Sequence, residues 1–155
     1  MRPERQPALE RAGERDGFVY EILLSDDGST DGTLRILEQW KATHRLDYVC
    51  GRNVGPARSF FLLLEQAPHR DYYAFADQDD VWYPDKLRRG VDSIRRQQMA
   101  SLYFANVDLT DAQGRLKQRS LPATLQLTRQ NALIESFASG CTMVFNDALR
   151  QLVCR

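Results

Sequence analysis

The chain has 155 residues, of which 43% are hydrophobic and 27% are charged, and this composition fits one globular domain rather than a disordered chain. Its 21 Lys and Arg residues balance its 21 Asp and Glu residues, so the basic surface that bulk nucleic-acid binding needs is not expected. No apolar run approaches the roughly 18 residues of a membrane span, and residues 1–17 lack the apolar segment of a secretory signal.

Strands and helices are predicted to alternate along the chain. Short apolar stretches rich in β-branched and aromatic residues predict strands. Helices are predicted where apolar residues recur at helical spacing, as Leu34, Leu37 and Trp40 do, or where Pro56 and Pro84 open an amphipathic stretch. The predicted strands are 18–25, 46–50, 71–76, 101–109 and 140–145, and the predicted helices lie within 33–42, 51–67, 84–99 and 128–137. The sequence DAQGR at 111–115 predicts a hairpin or a loop excursion.

This alternation predicts an α/β fold with a doubly wound, mostly parallel sheet. In such sheets, ligands bind at the carboxyl ends of the strands. Two acidic clusters follow predicted strands and are therefore expected at one edge of the sheet, where they could face one ligand. The clusters consist of Asp26, Asp27 and Asp31 after the first strand and of Asp77, Asp79 and Asp80 after the third.

The second cluster predicts a metal site. Asp77 and Asp79 are two residues apart, and in an extended segment such residues point the same way. Paired carboxylates form a hard oxygen site for Mg²⁺ or Mn²⁺, which complete their coordination with water and substrate phosphates. The cation would relieve the repulsion between the carboxylates and neutralise charge on a leaving diphosphate. Two alternatives stay open: the carboxylates are solvated surface groups, or Asp80 caps the helix that follows residues 82–84.

The first cluster matches a calcium-loop template, whose ligand positions fall on Asp27, Ser29, Asp31, Gly32 and Glu38. The preceding segment is predicted to be a strand rather than a helix, and no second loop of this type is found to pair with it. We therefore favour a strand-to-helix turn in which Ser29, Thr30 or Asp31 caps the helix. For Asp27 we favour a binding role, because a carboxylate at a strand end can accept an N–H from a pyrimidine base.

The sparse cysteines and histidines exclude several kinds of site. Cys50, Cys141 and Cys154 are far apart without CxxC spacing, which is typical of reduced thiols in a cytoplasmic protein. His44 and His69 are isolated in predicted loops or helix ends. Most zinc sites and Ser-His-Asp chemistry are therefore excluded.

Four stretches resemble, in their order and spacing, family 2 glycosyltransferases of the GT-A fold. They are SDDGSTDGT at 25–33, GRNVGPARSF at 51–60, FADQDDVWYPDKL at 75–87 and SGCTMVFND at 139–147. The sequence is most similar to bacterial rhamnosyltransferases of O-antigen or exopolysaccharide assembly. The resemblance covers about residues 18–153.

The resemblance implies transfer of a sugar, with rhamnose as one candidate, from a dTDP-, UDP- or GDP-sugar to a saccharide or lipid-linked acceptor. It implies Mn²⁺ or Mg²⁺ as cofactor and a cytoplasmic location at the inner face of the membrane. By the same resemblance, the residues that bind the nucleotide-sugar are Asp26, Asp27, Asn53, Gly55, Arg58, Asp77, Asp79 and Gly140. The implied metal ligands are Asp77, Asp79 and Asp80, with Asp79 the most direct.

The sequence departs from the family pattern at both ends. Nothing before Phe18 matches the family's first strand, and residues 1–17 are interpreted as a polar segment that is partly disordered or a helix remnant. The catalytic base of the family is expected beyond the C-terminus, since Asp108 and Glu135 do not match that role. We therefore predict a partial GT-A domain over 18–155, with donor-binding residues but little transferase activity alone. A non-catalytic nucleotide-sugar-binding module is the alternative.

The predicted helix at 84–99 carries many basic residues. They are interpreted as a solvated face, with contact to a lipid-diphosphate acceptor or the inner membrane surface as the alternative. These residues are Lys86, Arg88, Arg89, Arg95 and Arg96.

Overall fold

The computed structural model describes residues 17–43, 46–51, 53–120 and 138–155. In chain order, the elements are β1 (Ile22–Asp26), α1 (Thr33–Thr43), β2 (Leu46–Cys50), α2 (Pro56–Gln66), β3 (Tyr72–Ala74), α3 (Lys86–Ile94), β4 (Leu102–Tyr103), β5 (Asp108–Thr110), β6 (Leu116–Arg119), the 3₁₀ helix Gly140–Thr142, β7 (Val144–Asn146) and α4 (Asp147–Val153). They form two compact units. The first unit contains the described residues up to Arg70 together with Arg150–Arg155, and the second unit lies within Asp71–Leu149.

The first unit is built on a parallel pair of strands. β1 and β2 run side by side, with Ile22 opposite Leu46, and α1 provides the crossover that a parallel pair requires. α1 packs on β2 and α2 packs on β1, and Leu37 and Leu64 of these helices are buried. Arg150 donates to the carbonyl oxygens of Leu64 and Ala67, so it satisfies acceptors at the C-terminal end of α2.

The second unit is built on a three-stranded sheet in which β7 is central and runs antiparallel to both β3 and β4. α3 packs on β7 through its apolar face, and Val91 and Ile94 are buried there with Val144. Gly90 permits this close contact, because a β-carbon at that position would lie 2.6 Å from Cγ2 of Val144. The central strand and α3 therefore form the core of this unit.

A separate hairpin joins β5 and β6 in antiparallel pairing. The carboxylate of Asp111 accepts hydrogen bonds from the N–H groups of Gln113 and Arg115, while Gly114 takes the positive φ of 79° that the turn needs. This confirms the hairpin alternative for residues 111–115.

Several predicted elements are confirmed with small changes of length. β2 has the predicted bounds, α1 ends one residue later than expected, and Pro56 opens α2. The first strand begins at Ile22 instead of Phe18, and α3 is shorter than the predicted 84–99. The predicted helix at 128–137 lies outside the described residues.

Two predicted strands are wrong as continuous elements. The stretch 101–109 is divided between β4 and β5, because β4 pairs with β7 whereas β5 pairs with β6. The stretch 140–145 begins with the 3₁₀ helix, where the hydroxyl of Thr142 donates to the carbonyl oxygen of Ser139 at 2.7 Å. Only residues from Val144 onward join the sheet.

The α/β class is confirmed, and it includes a small parallel sheet. Among the described residues, β1–β2 is the parallel pair, whereas the pairs of the second unit are antiparallel. Alternation of strands and helices does not by itself set the direction of each strand, since a loop excursion can reverse the chain. The doubly wound, mostly parallel sheet stays a prediction.

Candidate functional site

Asp26 shapes the turn after β1. Its side chain is buried, and Oδ2 accepts hydrogen bonds from the N–H groups of Gly28 at 3.3 Å and Ser29 at 3.0 Å. Hydrogen bonds from Ser29, from its side chain first, and from Gly28 lower the pKa of Asp26 despite its burial. This carboxylate is therefore ionised and engaged by its own turn, and its predicted role in nucleotide binding stays a prediction.

Asp27 joins the turn after β1 to the loop before α2. Its two carboxylate oxygens accept hydrogen bonds from the N–H groups of Val54 at 3.0 Å and Gly55 at 2.9 Å. These bonds, with that from Val54 the larger, lower the pKa of Asp27. Each of the two carboxylate oxygens thus accepts a backbone hydrogen bond, and Asp27 anchors the loop before α2.

The loop held by Asp27 contains the other residues predicted to bind the nucleotide in this unit. Asn53 and Gly55 take positive φ values of 57° and 85°, which turn two successive N–H groups, those of Val54 and Gly55, toward Asp27. Arg58 lies on the first turn of α2 and is exposed. The structure thus brings Asp27, Asn53 and Gly55 together, and their contact with a nucleotide stays a prediction.

Asp31 acts at the start of α1. Its Oδ1 accepts hydrogen bonds from the N–H of Thr33 at 2.9 Å and from the hydroxyl of Thr33 at 2.6 Å. Thr33 is the first residue of α1. The helix-start alternative for Asp31 is therefore confirmed.

The contacts of the calcium-loop positions do not support a calcium loop. The element before the turn is β1, not a helix. The two end positions of the template are engaged elsewhere, since Asp27 binds the loop before α2 and Glu38 accepts a hydrogen bond from the Tyr48 hydroxyl. That bond raises the pKa of Tyr48 to about 12. The hydrogen bond between Tyr48 of β2 and Glu38 of α1 joins these two elements of the first unit.

The acidic loop after β3 places two carboxylates and a thiol together. Carboxylate oxygens of Asp77 and Asp80 and the Sγ atom of Cys141 all lie within 4.8 Å of one another. Within the described part of the chain, this group does not include Asp79. The N–H of Asp80 is 3.4 Å from the carbonyl oxygen of Asp77, so the chain turns here instead of remaining extended. In a turn, residues three apart come together, and Asp77 is therefore paired with Asp80 rather than with Asp79.

The capping role considered for Asp80 is wrong. α3 begins at Lys86, and its N-cap residue is Asp85, which makes no side-chain capping hydrogen bond. Asp80 lies too far before the helix to cap it, because residues 81–85 intervene. Its position is explained instead by the turn that brings it to Asp77.

The charges of the acidic loop are poorly compensated. Desolvation, followed by the negative charges of Asp80 and Asp79, raises the pKa of Asp77, whereas the nearby ammonium of Lys86 opposes this shift. Burial and a hydrogen bond with Asp80 raise the pKa of the Cys141 thiol. Without a metal, the raised pKa keeps the Cys141 thiol protonated at neutral pH, and a protonated thiol is a weak ligand. The remaining donor set is hard carboxylate oxygen, which fits Mg²⁺ or Mn²⁺.

Lys86 lies beside this loop in a position that the sequence reasoning missed. Its half-buried ammonium lies 3.4 Å from the centre of the Trp82 ring and donates a hydrogen bond to the carbonyl oxygen of Cys141. Burial lowers the pKa of Lys86 to about 8, against the raising effects of Cys141, Asp80 and Asp77. The expectation that Lys86 lies on a solvated helix face is therefore wrong. The sequence feature that could have indicated this position is the spacing of four residues between Trp82 and Lys86.

The other basic residues of α3 fit the solvated face. Arg89 pairs with Asp85 at 2.6 Å and Arg95 pairs with Asp92 at 3.3 Å, and both arginine side chains are exposed. Exposed ion pairs of this kind contribute little to stability. Their acidic partners also reduce the positive charge that the helix presents.

Gly140 lies in the 3₁₀ turn next to Cys141. A β-carbon at Gly140 would meet no atom of the described residues within 4 Å, so they leave the space beside its backbone open. Ser139 places its hydroxyl 3.3 Å from the Sγ atom of Cys141. Contact of Gly140 with a sugar stays a prediction.

Cys50, Cys141 and Cys154 are all free thiols, as expected.

The structure therefore shows an α/β protein in which two carboxylates converge in the loop after β3. The chain belongs to glycosyl transferase family 2, whose sequence model matches residues 6–153. The match begins earlier than the expected residue 18, so most of the polar N-terminal segment falls within the family match. Among the described residues, no helix has the length and hydrophobicity needed to span a membrane.

Three curated relatives agree with this assignment. The dTDP-rhamnosyl transferase RfbG of Shigella flexneri is 31% identical over 141 residues, covering 84% of this chain and 46% of that protein. The "Putative teichuronic acid biosynthesis glycosyltransferase TuaG" of Bacillus subtilis (strain 168) is 34% identical over 130 residues, covering 83% of this chain and 50% of that protein. Chondroitin synthase of Escherichia coli is 33% identical over 100 residues, covering 62% of this chain and 14% of that protein. The chain spans about half the length of the first two relatives.

Proposed function

We propose that this chain forms the donor-binding part of a glycosyltransferase with a doubly wound GT-A sheet. The enzyme transfers a sugar from a nucleoside-diphosphate sugar to a saccharide or lipid-linked acceptor during synthesis of a cell-surface polysaccharide, such as an O-antigen. It acts in the cytoplasm at the inner face of the membrane. The names of the RfbG and TuaG relatives support this choice, and the first of them makes dTDP-rhamnose the first donor to test.

The observation that carries the proposal is the carboxylate pair of Asp77 and Asp80. The two groups converge at the end of β3, and the pKa of Asp77 is raised because burial and like charges disfavour its ionised form. A divalent cation between the two carboxylates would remove this repulsion and present positive charge to a diphosphate. Asp79, which immediately precedes Asp80, remains available to contact the ribose or a metal-bound water.

The first unit supplies the proposed nucleotide contacts. The proposal assigns a pyrimidine N–H to Asp27, and the loop at Asn53 and Gly55 is held by the same carboxylate. Asp26 fixes the turn that carries Asp27, and Arg58 offers an exposed positive charge on the first turn of α2. Gly140 leaves open space for a sugar in the second unit.

Thermal unfolding of the full chain with dTDP, UDP or GDP, each with and without Mn²⁺, tests the proposal. A ligand present at about 100 times its Kd stabilises a protein by about 2.7 kcal/mol, so a shift of several degrees is expected for the correct nucleotide with Mn²⁺. We expect Asp77→Asn and Asp80→Asn to abolish the metal-dependent shift. Asp79→Asn is expected to reduce it less, because Asp79 does not converge with the other two groups.

Asp92→Asn is the matched control, since Asp92 is an exposed carboxylate of α3 outside the acidic loop. This variant should respond to nucleotide and Mn²⁺ as the unchanged chain does. Absence of a metal-dependent shift with all three nucleotides would contradict the proposal. An equal loss of the shift in Asp92→Asn would also contradict it, because the effect would then reflect net charge alone.

A further inference from the structure

Lys86 is held firmly at the acidic loop by two uncharged groups. The Cys141 carbonyl oxygen accepts a hydrogen bond from its ammonium, and the Trp82 ring lies against the same ammonium, with its centre 3.4 Å away. A carbonyl and an aromatic face both attract a cation, but neither carries a negative charge that would cancel it. None of the ion pairs among the described residues includes Lys86. Its positive charge is therefore held in position, and none of these ion pairs neutralises it.

The position of this charge relative to the carboxylates determines what it can do. Lys86 donates to the backbone carbonyl of Cys141, and the Sγ atom of the same Cys141 lies within 4.8 Å of carboxylate oxygens of Asp77 and Asp80. A divalent cation on the two carboxylates would make the ammonium a second positive charge at the same site. An ammonium has three N–H donors, and the carbonyl of Cys141 accepts only one of the hydrogen bonds that they can form.

We propose that Lys86 binds the diphosphate of the sugar donor beside the metal ion held by Asp77 and Asp80. This inference rests on the proposed function and adds a phosphate-binding residue to it. A compact ammonium on a flexible stem is a good point charge for phosphate oxygens. Here the Trp82 ring and the Cys141 carbonyl reduce the freedom of the stem before the ligand arrives, so less ordering remains to be done on binding.

Two separate affinities of the full chain test this role. The affinity for Mn²⁺ alone is measured by electron paramagnetic resonance, and the affinity for pyrophosphate at saturating Mn²⁺ is measured by calorimetry. Lys86→Met keeps an apolar stem against Trp82 but removes the charge. We expect it to bind Mn²⁺ at least as tightly as the unchanged chain, because a nearby like charge is lost, and to bind pyrophosphate at least about 10-fold more weakly. Lys86→Arg should restore most of the pyrophosphate affinity.

The opposite responses of the two affinities distinguish binding from a structural role. If Lys86→Met weakens both affinities equally and Lys86→Arg rescues neither, Lys86 only maintains the loop and the inference is wrong. Unchanged affinity for pyrophosphate would overturn it as well. Lys86→Gln, whose amide can still donate to the Cys141 carbonyl, replaces Lys86→Met if thermal unfolding shows the latter to be unstable.

Arg89→Met is the matched control, because Arg89 is an exposed basic residue of α3 that pairs with Asp85. It should change neither affinity. Failure of the unchanged chain to bind both Mn²⁺ and pyrophosphate would overturn the proposed metal site itself. If only the Lys86 inference is wrong, the unchanged chain still binds Mn²⁺ and pyrophosphate, and Lys86→Met binds both with the same affinities as the unchanged chain. The two failures can therefore be told apart.

Discussion

The partner of Asp77 is decided by one backbone turn. In an extended chain, Asp77 and Asp79 would share a side, and this expectation selected them as a pair from the sequence. The turn closed between Asp77 and Asp80 brings residues three apart together instead. The sequence thus predicts that carboxylates cluster after β3. Which two carboxylates converge depends on the backbone dihedral angles of residues 77–80. The residue pattern alone does not determine these angles.

At the same scale, Gly51 controls the position of Asp27. A β-carbon at Gly51 would lie 2.5 Å from Oδ1 of Asp27 and 3.3 Å from its Cα atom. We expect Gly51→Ala to displace the carboxylate from the N–H groups of Val54 and Gly55. Loss of these hydrogen bonds should lower the free energy of unfolding by about 1–3 kcal/mol, and denaturant titration of the full chain measures this change.

Gly32→Ala provides the control for Gly51→Ala. In the part of the chain that the structure describes, a β-carbon at Gly32 meets no atom within 4 Å, so the added methyl group displaces none of these residues. The effect on unfolding should be clearly smaller than that of Gly51→Ala. Equal effects of the two substitutions would show that the Asp27 contact does not cause the loss of stability.

At the scale of elements, the packing of α3 on β7 follows from one glycine. The amphipathic pattern of α3 correctly predicted that Val91 and Ile94 would be buried. The pattern gave no reason for Gly90, which is a poor helix former by intrinsic propensity. The reason is tertiary, since Gly90 faces Val144, the most deeply buried side chain of β7.

We therefore expect Gly90→Ala to destabilise the protein, although alanine is the better helix former by about 1 kcal/mol. The new β-carbon would lie 2.6 Å from Cγ2 and 2.7 Å from Cβ of Val144, and such overpacking costs about 1–3 kcal/mol. Thermal unfolding followed by circular dichroism measures the change. Combining Gly90→Ala with Val144→Ala should cost less than the sum of the two single substitutions.

A stabilising effect of Gly90→Ala would contradict this explanation and would show that helix propensity outweighs the contact. Ser93→Ala is a control on the exposed face of the same helix. It should change the unfolding temperature only slightly.

At the scale of the whole molecule, the carboxylates of the two units differ in the direction of their pKa shifts. In the first unit, backbone N–H groups and hydroxyls surround Asp26, Asp27 and Asp31 and lower their pKa values. In the second unit, desolvation and neighbouring carboxylates raise the pKa of Asp77. The first arrangement stabilises the folded chain, whereas the second is unfavourable without a cation, as expected for groups that serve binding.

The same substitution should therefore have opposite effects in the two units. At pH 7 and without metal, we expect Asp27→Asn to lower the unfolding temperature of the chain and Asp77→Asn to raise it. A lowered pKa means that the folded state favours ionised Asp27, and this contribution is lost as the pH falls through that pKa. A raised pKa means that ionised Asp77 disfavours folding; this penalty begins to decrease when the pH falls to the raised value and is gone below the pKa of the unfolded chain.

Unfolding temperatures measured from pH 7 to pH 3 test both signs. The effect of Asp77→Asn should vanish at a higher pH than that of Asp27→Asn, because Asp77 is protonated first. Asp92→Asn again serves as the control for the loss of one exposed carboxylate. Effects of the same sign for Asp27→Asn and Asp77→Asn would contradict the assignment of their charge states.

Local sequence patterns were enough to predict the α/β class, most helices, β2 and the positions of the two acidic clusters. These features depend on local periodicity and on turn-forming residues such as those of 26-DDGSTDGT-33. Both signals lie within one short segment of the chain. Tertiary structure alone decided that Asp27 holds the loop at Gly55, that Asp77 meets Asp80 and that Lys86 lies on Trp82 next to Cys141. These outcomes depend on distances between residues far apart in sequence or on the dihedral angles of a turn. The hydrophobic pattern does not specify either quantity.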